Sequence, residues 1–540
     1  MIISSPYPDV AIPNLGLPEF LFANVGSDNV HDLDTMAVID ISGHGYTYGQ
    51  LTKAIDRVAA GLTERGLGRG DVAVIFSPNS PDYPVVFHGV LSAGAVASPA
   101  SALYTPAELA HQLRDSGARV LFTSADALDR SRAAAAEDGV CLQEIIVLGS
   151  VHGAPGPVPE IGFDKLLETT APSSPVVNSG DDLAALPYSS GTTGLPKGVM
   201  LTHRNLVASV LQSQPISGTD ANSRVMAVLP LFHIYGITGI MNCSLYKRSC
   251  IVTMPRFDLA QLLSAIDEHR VDYLYIAPPI ALALLASPLV KQHDLSSLKE
   301  VMSAAAPLSR EVAQELAKRL DTTVVQGYGL TEASPTTHGI PADRPDLDRG
   351  SVGLLMPNLE ARVVDPVTGR DAELGEHGEL WCRGPNIMRG YLNNSEATAA
   401  TIDADGFLHT GDLVTIDADG AFHVVDRLKE LIKYRGFQVA PAELEALLLT
   451  HDGIADAAVI GVHTDGEELP KAFIVRRTTH LDLNAEDVQT FVAARVAPYK
   501  KIRQVEFLDR IPKSPAGKIL RNALRREGPL DGGSDDQGDA

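Results

Sequence analysis

The chain has 540 residues and a formal net charge of −23 at pH 7, and hydrophobic residues make up 45% of it. A chain of this length is too long to fold around a single hydrophobic core, so we expect a globular enzyme with roughly two to four domains or subdomains. The acidity argues against a protein that coats nucleic acid or an acidic membrane surface, and no apolar run is long enough to cross a bilayer.

Amphipathic and apolar stretches alternate between Ser42 and about Leu148. The stretch "LTKAIDRVAAGLTERG" has the spacing of a helix that ends at Gly66, "DVAVIFSP" is typical of a buried strand, and "ELAHQLRDSGARVLFTS" predicts a helix and then a strand. Further on, "RVMAVLP" and "VDYLYIAPP" favour strands, whereas "LAQLLSAIDEHR" and "REVAQELAKRL" favour helices. This alternation predicts an α/β fold with doubly wound parallel sheets.

The pattern changes after about Val352, where short strand-like segments such as "GELWCRGPNIMRGY" and "GAFHVVDR" predict a small β-rich subdomain. Beyond Arg427, "PAELEALLLTH" places Pro441 at the start of a helix, and the strand-like "DAAVIGV" and "KAFIVRR" follow it. We therefore expect a large N-terminal domain at 1–427 and a smaller α+β domain at 428–528. The acidic, glycine-rich residues 529–540 are expected to be disordered.

One loop carries a phosphate-binding pattern. In "YSSGTTGLPKGVMLTH", from Tyr188 to His203, a glycine- and hydroxyl-rich turn joins an apolar strand to a helix for which Thr202 is the expected N-cap. Backbone N–H groups and hydroxyls in such a turn suit phosphate oxygens. The loop is not a P-loop, because Lys197 stands between Pro196 and Gly198. A flexible surface loop is the alternative interpretation.

Further motifs follow this loop in a fixed order: "PLFHIYG", "QGYGLTEASP", "GELWCRGPNIMRGYLN", "LHTGDL", "VDRLKELIKYRGFQVAPAELE" and "PKSPAGKILR". The ordered set resembles the adenylate-forming superfamily of acyl-CoA synthetases, adenylation domains and luciferases, from "YPDVAIPN" to about Arg526. Within that family, "LIKYRGFQVAPAELEALL" and "GELWCRG" are most similar to the 4-coumarate–CoA ligase group.

The resemblance implies a two-step reaction. A small-molecule carboxylate attacks the α-phosphate of Mg-ATP to give an acyl-adenylate and pyrophosphate, and the thiol of coenzyme A then displaces AMP. Adenylation converts a poor acylating agent into a mixed anhydride with a good leaving group, and it requires neutralisation of the charge that builds on the triphosphate. The expected cofactors and co-substrates are therefore ATP, Mg²⁺ and coenzyme A.

The resemblance also implies roles for individual residues in ATP binding. Glu332 is the expected magnesium contact, although a carboxylate at a helix N-terminus would have the same sequence signature. Asp412 corresponds to the residue that binds the ribose hydroxyls, although a turn aspartate is the structural alternative. The full set expected around ATP and AMP is Ser189, Ser190, Gly191, Thr192, Thr193, Lys197, Gln326, Gly327, Tyr328, Thr331, Asp412 and Arg427.

Catalysis is expected from two lysines with different tasks. Lys518 matches the adenylation lysine, and Lys433 with Gln438 matches residues of the thioester step; the C-terminal domain of the family rotates between the two, with Lys429 at the hinge position. His233 is expected at the carboxylate entrance. The remaining predicted residues line the acyl pocket (Tyr235, Gly239, Ala304, Ala305, Gly329, Pro335 and Thr336) or bind coenzyme A (Arg256, Arg435 and Gly436).

The acid itself is less well determined. The motifs similar to the 4-coumarate–CoA ligase group make 4-coumarate- or cinnamate-type (phenylpropanoid) acids the first expectation. "SAAAP" at Ser303–Pro307 and "EASPTTHGI" depart from the pattern of the plant hydroxycinnamate ligases and argue against that choice. A fatty-acyl-CoA or acyl-AMP ligase and another aryl acid stay open. A luciferase-like oxygenase is less expected, as is a carrier-dependent adenylation module.

The expected setting of the enzyme is the cytoplasm. Only four cysteines occur, without a C-x-x-C pair, so the sequence predicts neither a zinc site nor a disulfide framework. We expect a monomer or homodimer with no nucleic acid partner and no integral membrane segment.

Overall fold

The computed structural model describes residues 2–26, 33–169, 176, 178–189, 196–434, 437–464, 467–514 and 517–526, without the side chains at 437 and 438. The chain is an α/β protein with two compact units, one of residues 1–410 and 414–424, the other of residues 411–413 and 425–540. The predicted tail at 529–540 lies outside the described residues. Within the described ranges, no helix is long and apolar enough to span a membrane.

The first unit holds most of the secondary structure, and the boundary between the units crosses its last two strands. Its strands are β1 (Ile3–Ser4), β2 (Met36–Asp40), β3 (Gly45–Thr47), β4 (Val72–Phe76), β5 (Val96–Pro99), β6 (Val120–Ser124), β7 (Glu144–Leu148), β8 (Glu160–Gly162), β9 (Leu183–Ala185), β10 (Tyr188–Ser189), β11 (Lys197–Thr202), β12 (Arg224–Ala227), β13 (Cys250–Thr253), β14 (Tyr273–Ile276), β15 (Glu300–Ser303), β16 (Thr323–Gly329), β17 (Thr336–Gly339), β18 (Leu354–Leu355), β19 (Glu360–Val364), β20 (Gly378–Arg383), β21 (Gly390–Tyr391), β22 (Leu408–Ile416) and β23 (Phe422–Arg427). Its α-helices are α1 (Leu17–Phe22), α2 (Tyr48–Glu64), α3 (Asp82–Ser92), α4 (Pro106–Ser116), α5 (Leu128–Ala135), α6 (Phe163–Leu167), α7 (His203–Gln212), α8 (Cys243–Lys247), α9 (Leu259–His269), α10 (Pro278–Ala286), α11 (Arg310–Leu320) and α12 (Ser395–Thr401).

Two large sheets, each of nine strands, organise this unit. One has the order β10-β11-β9-β5-β4-β6-β7-β8 with β21 paired to β11, and the other has the order β18-β17-β16-β15-β14-β12-β13-β2-β3. The central strands of both run parallel, which confirms the doubly wound α/β prediction. A further sheet, β1-β19-β20-β22-β23, is the predicted β-rich subdomain.

Local sequence accounts for several of these elements. β4 is buried along its whole length, as its unbroken apolar run requires for a strand covered on both faces. Helix α2 is followed by Gly66 with a φ of 74°, the left-handed conformation that glycine adopts freely after a helix. The side chain of Thr202 accepts a hydrogen bond from the N–H of Asn205, so the predicted N-cap of α7 is confirmed.

Other helices carry no amphipathic signal. In α3 every residue from Tyr83 to Ser92 is buried, so the polar face that reveals a surface helix is missing. The segment after "PLFH" forms a π-helix at Tyr235–Asn242, a conformation that periodicity does not identify and that is common at functional sites.

The second unit has an α+β fold of its own. Its further elements are β24 (Ile432–Tyr434), β25 (Phe437–Val439), α13 (Pro441–Leu449), β26 (Ile454–Thr464), β27 (Glu467–Arg476), α14 (Ala485–Ala493), β28 (Gln504–Phe507) and α15 (Arg521–Arg526). Helix α13 begins at Pro441, as predicted. Strands β26 and β27 are antiparallel, β28 adds in parallel, and a hydrophobic core lies between this sheet and the two longer helices.

Candidate active site

The stem of the predicted phosphate loop is a pair of antiparallel strands. β10 pairs with β11 so that Tyr188 faces Gly198 and Ser189 faces Lys197. The strands therefore place Ser189 and Lys197 opposite each other, at the two ends of the loop. Ser190, Gly191, Thr192 and Thr193 lie outside the described residues, and their predicted phosphate contacts stay predictions.

Glu332 lies next to this stem. Ser189 Oγ donates a hydrogen bond to Glu332 Oε1 at 3.0 Å, and the Tyr391 hydroxyl donates to the same oxygen at 2.8 Å. The Lys197 ammonium lies over the Tyr391 ring, 4.9 Å from its centroid. The structure thus brings Glu332 next to two other predicted ATP-site residues, Ser189 and Lys197, although 143 residues separate Ser189 from Glu332.

Tyr391 was not among the predicted site residues. Its strand β21 pairs with β11, so that Tyr391 faces Val199. Burial raises the pKa of the Tyr391 hydroxyl, and the charge of Glu332 raises this pKa further, so the group stays a protonated donor. The available sequence signal was its place in the quoted motif "MRGYLN".

The residues around Glu332 fit a magnesium ion that is bound together with phosphates. The described part of the chain contains no group of three or more His, Cys, Asp or Glu side chains able to hold a metal. Mg²⁺ in nucleotide sites is commonly held by one or two carboxylates, substrate phosphates and water rather than by an all-protein cage. A single carboxylate with two neighbouring hydroxyls agrees with that pattern.

Gln326 fixes the backbone near the ends of the parallel strands. Its side-chain oxygen accepts a hydrogen bond from the N–H of Leu308 at 3.0 Å, and its amide nitrogen donates to the carbonyls of Leu308 at 2.9 Å and Arg349 at 2.7 Å. Both amide hydrogens are therefore used by the protein. In this structure the side chain of Gln326 holds the segment after β15 against the end of β16.

The predicted residues after Gln326 are close to one another. β16 and β17 pair so that Gly329 faces Thr336. A Cβ atom on Gly329 would lie 2.1 Å from the carbonyl oxygen of Pro335, so only glycine permits this approach. Thr331 and Glu332 lie in the short helical turn between the two strands, and Gly327 and Tyr328 precede Gly329 on β16.

The predicted acyl-pocket residues of the π-helix adjoin β14 and β15. The rings of Tyr235 and Tyr275 are nearly perpendicular, with centroids 6.1 Å apart, and the Tyr235 hydroxyl donates to the Met302 carbonyl at 3.3 Å. A Cβ atom on Gly239 would lie 2.9 Å from the Tyr235 ring, so the glycine makes room for it.

Three further residues were predicted to lie around the acid: Ala304, Ala305 and His233. Ala304 and Ala305 follow β15, and Ala305 has a φ of 75°, which is unfavourable for a residue with a Cβ. His233 is half-buried, and its Nδ1 accepts from the N–H of Tyr235 at 3.2 Å. A neutral His233 ring therefore carries its proton on Nε2.

The predicted ribose residues belong to the second unit. Asp412 is buried, and it accepts a hydrogen bond from Arg427 Nε at 3.0 Å. Burial raises the pKa of the neighbouring Asp426 to about 6. The carboxylate of Asp426 accepts from the N–H of Ala442 at 2.8 Å, which ties the start of α13 to the end of β23.

The residues predicted for the thioester step lie on two paired antiparallel strands. Lys433 on β24 faces Gln438 on β25 in the strand register, and the Lys433 side chain is exposed. Arg435 and Gly436 lie outside the described residues, as does the side chain of Gln438. Next to the predicted hinge residue Lys429, Glu430 forms an ion pair with Arg525 at 3.0 Å.

Lys518 lies in a tight turn near the C-terminus. The N–H of Ser514 donates to the Lys518 carbonyl at 2.7 Å, and Ser514 Oγ accepts from the Lys518 N–H at 3.1 Å. Gly517 has a φ of 82°, so this turn requires its glycine. Arg256, predicted to bind coenzyme A, is exposed on the segment after β13.

Comparison with known proteins identifies the family of the chain. The model of the AMP-binding enzyme family matches residues 28–392, and that of the AMP-binding enzyme C-terminal domain matches residues 443–518. The 4-coumarate–CoA ligase 1 of Petroselinum crispum is 41% identical over 538 residues, which cover 97% of this chain and 96% of that relative.

Solved structures of two acid–CoA ligases are similar over nearly the whole chain. An anthranilate CoA ligase, AuaEII, in complex with anthranoyl-AMP has a TM-score of 0.86 at 26% identity, and the match covers 96% of this chain and 98% of that one. A benzoate CoA ligase from Burkholderia xenovorans LB400 has a TM-score of 0.84 at 28% identity, and the match covers 94% of this chain and 99% of that one.

Proposed function

Because this chain belongs to the AMP-binding enzyme family and is an AMP-forming acid–CoA ligase, we propose that its acid is a hydroxycinnamic acid of the 4-coumarate type. The observation that carries the proposal is 41% identity to a 4-coumarate–CoA ligase over 97% of this chain. The aromatic pair Tyr235–Tyr275 beside β15 supports it, since aromatic walls favour a planar aryl group.

ATP and coenzyme A are the co-substrates of this ligase, and Mg²⁺ neutralises triphosphate charge when it is bound. We assign Ser189 and Lys197 to the phosphates that leave as pyrophosphate, and Glu332 to the metal. The contacts from Ser189 and Tyr391 orient the Glu332 carboxylate. His233 is assigned to the entrance for the acid carboxylate.

A panel of acids tests the choice of substrate. With Mg-ATP and coenzyme A, 4-coumarate and cinnamate are expected to give a kcat/KM at least about 10-fold above that of long-chain fatty acids, because an aromatic pocket discriminates by shape and burial. The release of AMP measures each rate. A higher kcat/KM for a fatty acid would contradict the proposal.

A second candidate is a shorter aryl acid of the benzoate or anthranilate type. The similarity to anthranilate and benzoate CoA ligases over 94–96% of this chain favours it. Ala304, which follows β15, adds a methyl group near the acyl pocket and would also suit a shorter acid. Benzoate and anthranilate therefore belong in the same panel, where a preference for either over 4-coumarate selects this candidate.

We propose that Lys433 serves the thioester step. Replacing Lys433 by alanine is expected to slow acyl transfer to coenzyme A by about 10- to 100-fold and to leave adenylation within a few-fold of the wild type, because only an interaction made in that step is lost. Single-turnover assays of the two half-reactions measure the two rates separately. An equal loss in both steps would remove the assignment.

The proposed setting is the cytoplasm, with the enzyme as a monomer or homodimer. The four cysteines are free thiols in the structure, and three of them are buried, which agrees with a reducing compartment.

A further inference from the structure

A buried glutamate near the predicted acyl pocket lacks a hydrogen-bond partner among the described residues. Glu300 begins β15, and only 3% of its surface is exposed. Its carboxylate forms no hydrogen bond and no ion pair with any residue that the structure describes. Burial raises its pKa to about 7, and the positive charge of Arg349 opposes this shift. A buried carboxylate without a partner is costly, so its presence calls for an explanation.

The strand register defines the face on which Glu300 lies. Glu300 pairs with Tyr273 on β14, and two residues further on Met302 pairs with Tyr275. Alternate residues of a strand point to the same face, so these four side chains share one face of the sheet. The Tyr235 ring contacts Tyr275 on this face, and Met302 Sδ would lie 3.8 Å from a Cβ atom on Gly327.

Glu300 therefore lies on the face of the sheet that adjoins the predicted acyl pocket. It begins β15, so it is at the end of the strand opposite to Ala304 and Ala305. The predicted reaction end of the pocket, Ala304 and Ala305, follows the carboxyl end of β15. Glu300 is three residues before Ser303, so the two Cα atoms are about 10 Å apart along the strand. A propenoate arm followed by a benzene ring has a length of this order. Burial is the main cause that raises the pKa of Tyr235, Tyr273 and Tyr275, and the charge of Glu300 raises each pKa further. Glu300 and these hydroxyls are therefore electrostatically coupled.

A second group in this region is incompletely paired. Arg349 Nη1 is buried and has no hydrogen-bond partner among the described residues. Its charge interacts with that of Glu300, and the two side chains form no ion pair in the described part of the chain. A hydroxyl group can donate to a carboxylate and accept from a guanidinium at the same time, so a phenolic hydroxyl matches the chemistry of both.

We propose that Glu300 is a specificity-determining residue that accepts a hydrogen bond from a hydroxyl group at the far end of an aryl acid. This inference rests on the proposed function, and it narrows the substrate class to aryl acids with a ring hydroxyl opposite the carboxyl-bearing arm. A site built to bind a hydroxyl discriminates against an analogue without one, because the buried acceptor is then left unpaired.

The test compares 4-coumarate with cinnamate, which lacks only the para hydroxyl. For the wild type, kcat/KM is expected to be about 10- to 100-fold higher with 4-coumarate, as for a hydrogen bond to a charged group. In the Glu300→Leu variant this ratio is expected to fall to about 1, mainly through loss of activity on 4-coumarate. In Glu300→Gln, whose amide oxygen still accepts, an intermediate ratio is expected.

The ratio of the two kcat/KM values does not depend on the fraction of enzyme that is active, so partial misfolding does not mimic the effect. If Glu300→Leu does not fold, Glu300→Gln has the same shape and provides the comparison. An unchanged ratio in the variants, as for a carboxylate that holds only a buried water, would overturn the role of Glu300 and leave the proposed function standing. Turnover of neither acid by the wild type would overturn the proposed function and this assignment with it.

Discussion

Replacement of Lys518 by alanine is expected to lower the acid-dependent exchange of pyrophosphate into ATP by about 100- to 1,000-fold. We propose, from the match of Lys518 to the adenylation lysine of the family, that its ammonium contacts the acid carboxylate and the α-phosphate as charge moves between them. A preorganised charge at this point stabilises the transition state much more than the bound substrates. The turn closed by Ser514 and Gly517 fixes the backbone at Lys518, so neighbouring lysines do not replace it.

The same variant is expected to convert supplied acyl-adenylate and coenzyme A to the thioester within about threefold of the wild-type rate, because the adenylation step is then bypassed. Lys513→Ala is the matched control. Lys513 belongs to the same segment but forms an ion pair with Asp456 at 2.6 Å, so its loss is expected to leave both half-reactions nearly unchanged. Normal exchange in Lys518→Ala would refute the role of this lysine.

The Glu332→Gln substitution is expected to slow adenylation by about 100-fold and to increase the Mg²⁺ concentration needed for half-maximal rate. The amide oxygen of glutamine can still accept the hydrogen bonds of Ser189 and Tyr391, so the main loss is the negative charge. The measurement is the rate of adenylate formation in a magnesium titration.

The Tyr391→Phe substitution tests how much the orientation of the Glu332 carboxylate matters when its charge is retained. Phenylalanine retains a ring beneath the Lys197 ammonium and removes only the hydrogen bond to Glu332. We expect a loss below about 10-fold with an unchanged magnesium requirement, as for one hydrogen bond. Equal effects of the two substitutions would indicate that Glu332 acts through structure rather than through its charge.

Elements determined by neighbouring residues could be predicted from the sequence. The apolar run of β4, the N-cap Thr202 and the helix start at Pro441 depend on residues a few positions away, and the structure has each of them where the pattern indicated. Helix α3 was not recognised, because burial on all sides removes the polar face that periodicity detects.

The chemistry of the site could be predicted in part, through the resemblance of ordered motifs. Contacts over long sequence distances could not, and the hydrogen bonds of Ser189 and Tyr391 to Glu332 span 143 and 59 residues. Glu300 is a similar case. In the sequence it is one acid among 67 Asp and Glu residues, and only the strand register places it on the same face as Tyr275 and Met302.

The most direct test of the account uses the wild-type enzyme in two stages. Incubation with 4-coumarate and Mg-ATP in the absence of coenzyme A is followed by rapid addition of coenzyme A, and the products of each stage are identified by mass spectrometry. We predict enzyme-bound coumaroyl-adenylate and pyrophosphate in the first stage, and coumaroyl-CoA and AMP after the addition. Formation of ADP and phosphate, or the absence of an adenylate with 4-coumarate, would contradict it.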